Sequence, residues 1–342
     1  MKKVLLFSLT VSLLGCKAQQ PGDVADANPM EYANTITAGE LKDHLYTFAS
    51  DEFQGRDTGE PGQKMAAEYL KNEYKKLGVV SPLGGDDYYQ EVPGSYFTRG
   101  EIKDTENVLA YIKGSSIPEE ILVISSHYDH VGVDDEGNIY NGADDDGSGT
   151  VAILEIAEAF KKAQEDGYTP KRSVLFLNVT GEEKGLVGSK FYSENPVFPL
   201  ANTVANLNID MIGRIGKDME NAGDYVYLIG SDKLSTELHE LSEAVNEKYL
   251  NLNLDYTYND ENDPNRFYYR SDHYHFAKND IPIIFYFNGV HEDYHRPTDT
   301  PDKIEYDLLE KRAKLIFLTA WEIANRETRP FVDKPTLTEA AE

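Results

Sequence analysis

Residues 141–149 read Asn-Gly-Ala-Asp-Asp-Asp-Gly-Ser-Gly, and the rest of the chain is organised around this stretch. Three consecutive carboxylates lie between glycines, directly ahead of an apolar run with helical spacing. Neighbouring negative charges repel one another, so the stretch alone is typical of a solvated turn. A functional interpretation needs partner side chains elsewhere in the chain.

Candidate partners occur where other predicted strands end. The strands concerned span residues 121–125, 173–179, 203–209 and 281–287. Six acidic or imidazole side chains follow these strands or lie in the next loop: His127, Asp144, Glu182, Glu183, Asp210 and His295. Ligands of parallel sheets bind beyond the carboxyl ends of the strands, so these side chains can converge on one rim. Carboxylates and imidazoles in such a set are typical of a site for two divalent metals.

Strands and helices alternate along the whole chain. Amphipathic helices are predicted at about 63–77, 149–164, 233–249 and 307–325. The strand at 173–179 is almost continuously apolar, as expected of a strand that is covered on both faces. The pattern predicts one α/β domain, in which a largely parallel mixed sheet carries helices on both faces.

The first residues indicate targeting. A basic start is followed by an apolar run, Val4 to Leu14, that is too short to span a bilayer. The run ends in Leu13-Leu14-Gly15-Cys16, which resembles a bacterial lipobox; an ordinary signal peptide with an incidental cysteine is the alternative. We therefore predict a cell-envelope lipoprotein, periplasmic or on the cell surface, that is anchored to the membrane by lipid on Cys16. The predicted segments are a lipoprotein signal peptide (1–15), a tether (16–35), the folded domain (36–330) and a polar tail (331–342).

Composition excludes some functions. The 342 residues carry a formal net charge of −27, which argues against nucleic-acid binding because that function needs a basic surface. Cys16 is the single cysteine, so the mature chain has no internal disulfide and no thiolate metal ligand. Negative charge also suits metal cations or substrates with a free amine.

The chain resembles the co-catalytic dizinc aminopeptidases of bacterial secreted type, a family that includes glutamate carboxypeptidase II-like enzymes and glutaminyl cyclases. The resemblance runs from about residue 41 to 323, and its ordered set of markers is specific although each marker alone is weak. The markers are His127-x-Asp129, Gly142 to Gly149, Gly181-Glu182-Glu183-x-Gly185, Asp210-Met211, Ser271-Asp272-His273 and Tyr294-His295.

The resemblance implies a role for each matching residue. Asp144 would bridge two Zn²⁺ ions and would be followed by a cis peptide bond. His127 and Asp210 would complete one metal site, and Glu183 and His295 the other. Glu182 would be the general base, and Asp129 would orient His127. The choice of zinc over manganese or cobalt rests on the family, since this ligand set accepts all three.

A further donor should stabilise the oxyanion. Relatives use a tyrosine near the Ser-Asp-His segment, so Tyr268, Tyr269 and His273 are the candidates, with Tyr268 preferred. Asp260 or Glu261 could bind a substrate ammonium group.

The resemblance implies a zinc-dependent exopeptidase with peptide substrates, in which a water activated by two metals attacks the peptide bond. Aminopeptidase is the first hypothesis. A carboxypeptidase or dipeptidase would need a cation for the C-terminal carboxylate, which a loop arginine could provide. The candidate arginines are Arg214, Arg266, Arg270 and Arg296. A glutaminyl cyclase, which is an acyltransferase, is the alternative of another class; the complete two-metal set argues against it. The oligomeric state stays open.

Overall fold

An eight-stranded mixed sheet forms the centre of the fold. Its strands, in their order across the sheet, are β1 (Tyr89–Val92), β2 (Thr105–Ile112), β6 (Arg172–Val179), β3 (Ile117–His127), β7 (Thr203–Ile209), β10 (Ile283–Phe287), β8 (Tyr225–Ile229) and β9 (Asn253–Asp255). The four central strands, β6, β3, β7 and β10, are parallel to one another. Antiparallel pairing occurs between β1 and β2, between β2 and β6, and between β10 and β8. The predicted α/β domain with a largely parallel sheet is therefore confirmed.

A computed structural model describes residues 24–98, 100–219 and 221–334. Two short strands outside the central sheet are β4 (Gly132–Val133) and β5 (Ile139–Tyr140). The α-helices are α1 (Pro29–Ala33), α2 (Ala38–Phe48), α3 (Pro61–Leu77), α4 (Gly149–Glu165), α5 (Val187–Glu194), α6 (Thr236–Tyr249), α7 (His273–Ala277) and α8 (Tyr306–Asn325). A separate hairpin pairs β4 with β5.

Helices cover both faces of the sheet because successive side chains of each strand point to opposite sides. In β3, Leu122 and Ile124 belong to the larger apolar core, which also contains buried residues of α2, α3, α4 and α8. Val123 belongs to the second core, under α5 and α7. The central strands are therefore apolar throughout, and the carboxyl ends of β3, β6, β7 and β10 lie side by side.

Local signals explain where the helices begin and end. Thr37 caps α2, because its hydroxyl accepts the N–H of Glu40 at 3.2 Å. Pro61 opens α3, where its missing N–H is harmless, and Gly78 closes that helix in the left-handed conformation.

The packed domain extends beyond the predicted bounds at both ends. Helix α1 lies within the predicted tether 16–35, and its Tyr32 stacks on Trp321 of α8 with ring centroids 5.7 Å apart. At the other end, the Asp333 carboxylate accepts the N–H of Thr236 at 2.9 Å, where α6 begins.

The signal peptide predicted for residues 1–15 and the lipidated Cys16 lie outside the described residues. Within the described residues, every helix is too short or too polar to cross a bilayer.

Helix α4 buries one carboxyl group far from the strand ends. Glu155 is 1% exposed, and its Oε1 lies 3.5 Å from Nε2 of His44, whose Nδ1 lies 2.6 Å from the Tyr69 hydroxyl. Burial raises the pKa of Glu155 from 4.5 to about 8, and the carboxylates of Glu40 and Glu158 add to the shift. The folded state therefore holds Glu155 protonated at pH values where the unfolded chain ionises it.

We predict that Glu155→Gln stabilises the protein at pH 8 and has little effect below pH 4.5. The pKa is raised on folding, so stability is lost as the pH rises from 4.5 to about 8, and glutamine removes that loss. The gain in unfolding free energy should reach a few kcal/mol, at ~1.4 kcal/mol per pKa unit. Denaturant unfolding at both pH values measures it. The exposed Glu165→Gln in the same helix is the control, and an equal effect of Glu155→Gln at both pH values would contradict the assignment.

Candidate metal centre

The carboxylate of Asp145 lies between two imidazoles. Its Oδ1 is 3.1 Å from Nε2 of His127, at the end of β3, and its Oδ2 is 3.0 Å from Nε2 of His295, in the loop after β10. Asp145 is 3% exposed. Burial by itself would raise the pKa of this carboxyl, but His127 and His295 hold it well below its usual range. The group is therefore an anion shared by two nitrogen ligands.

One further carboxylate flanks each imidazole. Oδ1 of Asp210, directly after β7, lies 3.6 Å from Nε2 of His127. Oε1 of Glu183, in the turn after β6, lies 3.1 Å from Nε2 of His295. Burial would raise the pKa of Glu183, yet the nearby imidazoles lower it to about 2. Each end of the Asp145 carboxylate thus faces one imidazole and one additional carboxylate.

Glu182 lies beside His127 and Asp210. One carboxylate oxygen of Glu182, one of Asp210 and a ring nitrogen of His127 lie within 4.8 Å of one another. Asp129 fixes this arrangement in two ways. Its backbone carbonyl lies 3.1 Å from Nδ1 of His127, and its Oδ1 accepts the N–H of Glu182 at 3.2 Å. The predicted orienting role of Asp129 therefore falls mainly to its backbone oxygen, at 3.1 Å against 3.8 Å for its carboxylate.

Asp144 does not occupy the bridging position that the sequence predicted for it. Its Oδ1 accepts the Ser148 hydroxyl at 2.9 Å and the N–H of Gly213 at 2.7 Å. Its Oδ2 lies 3.1 Å from Nε2 of His291, a second buried imidazole. Asp144 therefore faces the loop after β7, and the neighbouring Asp145 takes the place between His127 and His295.

The third acid, Asp146, has a structural position. Its Oδ1 accepts the N–H of Gly149, the first residue of α4, and that of Met211, both at 3.0 Å. The contact with Gly149 is of the kind that caps a helix. The cis peptide bond lies between Asp145 and Asp146, one residue later than the resemblance implied.

Two buried side chains that the sequence analysis did not select hold the Asp145 loop. Oδ2 of Asp299 accepts the N–H of Asp144 at 3.0 Å and that of Asp145 at 3.2 Å. Arg56 donates to the carbonyls of Tyr128, Asn141 and Gly142. Arg56 lies in the glycine-rich segment 55–62 and is fully buried. The feature of the sequence that could have indicated this position is an arginine among glycines. A buried guanidinium needs several hydrogen-bond acceptors, which the carbonyl groups of nearby loops provide.

His127, Glu182 and Asp210 lie at a cleft of about 370 Å³. Its polar lining is His127, Asp145, Glu182, Asp210, Arg270 and Tyr294, and its apolar lining is Met211, Phe267, Phe285, Phe287 and Val290. The lining therefore combines carboxylates and an imidazole with apolar side chains.

The predicted oxyanion donors lie outside this lining. The Tyr268 hydroxyl is buried in the second core without a hydrogen-bond partner among the described residues, and burial raises its pKa. Nε2 of His273 lies 2.8 Å from the Tyr268 carbonyl oxygen. Tyr294 lines the cleft instead and stacks on His295 with ring centroids 4.0 Å apart. Proximity to the Ser-Asp-His segment in the sequence therefore did not identify the tyrosine that lines the cleft. Adjacency to His295 would have identified it.

Asp260 and Glu261, suggested as ammonium ligands, are exposed and also lie outside the lining. Oδ1 of Asp260 accepts the N–H of Asn262 at 2.7 Å, as in a local turn.

The residues fit a pair of bound cations. Among the described residues, Oδ2 of Asp145, Oε1 of Glu183 and both ring nitrogens of His130 are buried without a hydrogen-bond partner. Such groups normally find a partner, because an unpaired buried polar atom costs ~1–3 kcal/mol. Oxygen and imidazole donors of this kind suit Zn²⁺.

Comparison with known proteins identifies the family. The model of peptidase family M28 matches residues 107–320, which contain every residue of the two groups. The chain belongs to peptidase family M28.

Curated relatives of the chain are peptidases. It is 30% identical to leupeptin-inactivating enzyme 1 of Streptomyces exfoliatus, over 75% of this chain and 50% of that protein. It is 28% identical to a probable leucine aminopeptidase of Trichophyton verrucosum, over 78% of this chain and 68% of that protein. The match to a probable glutamate carboxypeptidase of Arabidopsis thaliana is 32% identical but covers only 39% of this chain and 19% of that protein. The chain thus spans a small part of some of the curated relatives that it matches.

Solved structures share the fold. The LapA aminopeptidase of Legionella pneumophila superposes with a TM-score of 0.69 at 21% identity, over 96% of this chain and 81% of that one. BSAP, a zinc aminopeptidase of Bacillus subtilis, gives 0.65 at 18% identity, over 88% and 99%. At these identities the likeness shows the fold alone.

We predict that Asp145→Asn lowers bound zinc from about two ions per chain to less than one, because both groups share this carboxylate. Asp144→Asn is the matched control from the same loop and should keep about two ions. Metal analysis after zinc reconstitution and gel filtration measures both variants. Loss of both ions in the Asp144 variant, with full retention in the Asp145 variant, would return the bridging role to Asp144.

Proposed function

We propose that this protein is a zinc-dependent exopeptidase that binds two Zn²⁺ ions and releases N-terminal residues from peptides. The observation that carries the proposal is the Asp145 carboxylate, shared between His127 at 3.1 Å and His295 at 3.0 Å and facing a cleft. Asp210 and Glu183 complete the two ligand sets. The family supports the same reaction class.

When bound, the ions would polarise the scissile carbonyl and lower the pKa of the attacking water molecule. The chain contributes the remaining steps. Glu182 lines the cleft beside His127 and Asp210, so it can take the proton of the attacking water and pass it to the leaving amine. The Tyr294 hydroxyl replaces Tyr268 as the donor that we propose for the oxyanion, because Tyr294 lines the cleft.

The cleft supports release from the N-terminus. Carboxylates of Asp145, Glu182 and Asp210 line the cleft and would attract an α-ammonium group, as would the overall charge of −27. The phenylalanines of the same lining suit an apolar side chain of the N-terminal residue. A relative is named as a probable leucine aminopeptidase, which is consistent with this preference.

Arg270 favours a second candidate, cleavage of dipeptides with a free carboxylate. It is the arginine in the cleft lining, and its guanidinium lies 5.0 Å from the centroid of the Phe267 ring. None of the described carboxylates lies within salt-bridge distance of it. Arg214, by contrast, pairs with Asp293 at 3.0 Å. A cation without an acidic partner, in so acidic a protein, is suited to a substrate carboxylate.

A panel of peptides separates these activities. We expect hydrolysis of dipeptides and of their C-terminal amides, and none of N-acetylated peptides, because the ammonium group is needed. Hydrolysis of N-acetylated peptides but not of amides would instead show a carboxypeptidase, and pyroglutamate formation from N-terminal glutamine a cyclase. If Arg270 binds the carboxylate, Arg270→Gln raises KM for free dipeptides and leaves KM for the amides unchanged.

Glu182→Gln tests the mechanism in the same panel. The variant should bind two zinc ions and lose about 10²–10⁴-fold in kcat, since glutamine fills the same space but accepts no proton. Activity close to that of the unaltered protein would remove Glu182 as the base.

We also propose that the protein is a cell-envelope lipoprotein anchored at Cys16, on the sequence of residues 1–16 alone. Cys16→Ser should abolish labelling by a palmitate analogue in the native host and shift the enzyme from the membrane to the soluble fraction. Unchanged labelling would contradict the anchor.

A further inference from the structure

His130 is a buried imidazole that neither the family resemblance nor the proposed reaction uses. It lies three residues after His127, is fully buried, and has no hydrogen-bond partner on either ring nitrogen among the described residues. Its backbone N–H donates to the Arg56 carbonyl at 3.1 Å. An imidazole held in this way without a polar partner calls for a ligand.

The ring nitrogen of His130 faces the two oxygens that His295 also faces. Nδ1 of His130 is 3.0 Å from Oε1 of Glu183 and 3.8 Å from Oδ2 of Asp145. Nε2 of His295 is 3.1 Å and 3.0 Å from the same two oxygens. Ligand atoms about 2.0–2.2 Å from one tetrahedral ion are separated by similar distances.

Nδ1 of His130 and Oε1 of Glu183 lie 3.0 Å apart, and both atoms are buried without another hydrogen-bond partner among the described residues. Oδ2 of Asp145, unpartnered as well, belongs to the same group.

The fold restrains the His130 ring. A Cβ atom at Gly142 would lie 2.5 Å from Cδ2 of this ring, so only glycine permits the approach. The His295 ring stands at 73° to the His130 ring, with centroids 5.7 Å apart. The imidazole is therefore positioned before any cation arrives.

We propose that Nδ1 of His130 is a fourth protein ligand of the second zinc, which makes the two metal positions unequal. The inference rests on the proposed function. The closed position comprises His130, Asp145, Glu183 and His295. The open position comprises His127 and Asp210 with the shared Asp145. Four protein ligands are typical of a structural zinc, and three with a free position are typical of a catalytic one.

The cleft gives independent support for this division. His127, Asp210 and Glu182 line the cleft. Among the described residues, His130 and Glu183 are not part of its lining. Substrate therefore approaches the open position. The closed position, with more protein ligands, should fill first and release its ion last.

Cobalt substitution of the full chain tests the assignment, because a paramagnetic ion shifts the exchangeable N–H proton of each imidazole that binds it. With two Co²⁺ ions per chain, proton NMR should show three shifted N–H signals, from His127, His130 and His295. With one ion, the signals of His130 and His295 should appear first.

His130→Asn separates ligation from hydrogen bonding, since asparagine keeps an N–H donor for Glu183 but is a poor zinc ligand. The variant should show two shifted signals and a dissociation constant of the tighter zinc raised about 100-fold. His44→Asn, which changes a half-buried imidazole 3.5 Å from the Glu155 carboxylate, is the control and should change neither quantity.

Two signals in the unaltered protein would overturn the inference, whether or not the variant folds. Filling of the His127 position first would overturn it as well. The proposed function is judged separately, by zinc-dependent hydrolysis of peptides by the unaltered protein. Hydrolysis combined with a two-signal spectrum would therefore exclude His130 as a zinc ligand and would still support the proposed exopeptidase function.

Discussion

The fold buries three consecutive carboxylates, and each of them needs its own set of partners. Asp144, Asp145 and Asp146 are 0%, 3% and 0% exposed, so none can rely on bulk water. Moving a carboxylate out of water costs several kcal/mol unless cations or hydrogen bonds replace the water. Asp144 binds the backbone of the loop after β7, Asp146 binds the first N–H of α4, and Asp145 faces two imidazoles. Asp145 is thus the acid of the three that lies between His127 and His295.

A directed chain of hydrogen bonds connects the sheet to the Asp210 carboxylate. The Asn206 amide donates to Ser125, the Ser125 hydroxyl to Asn208, and the Asn208 amide to Ser271, at 2.8, 2.7 and 2.8 Å. The Ser271 hydroxyl then donates to Oδ2 of Asp210 at 2.6 Å. Each donor in this chain meets the acceptor of the next side chain, which lowers the cost of polar residues in buried strands, and Oδ1 of Asn206 is left without a hydrogen-bond partner among the described residues. The chain also explains why Oδ1 of Asp210 points towards His127, since Oδ2 is already engaged.

The sequence predicted the fold and most of the site for one physical reason: the carboxyl ends of parallel strands share an edge. His127, Glu183, Asp210 and His295 each follow a central strand, and the structure brings them together. The choice between Asp144 and Asp145 depends on dihedral angles in an irregular turn, which three identical side chains do not encode. Tyr294 was missed for a related reason, because loop paths, unlike strand ends, are not fixed by periodicity.

Buried arginines show that the site is organised by the protein before metal binds. Arg56 donates to the carbonyls of Tyr128 and Gly142, on the two chain segments that carry His127 and Asp145. Arg312 of α8 donates to the carbonyls of Ile212 and Arg214, just after Asp210. A guanidinium offers five donors in a rigid plane, so one side chain can join several loop carbonyls. Because these loops are tied to helices and to each other, the ions need only neutralise charge that the fold has already placed.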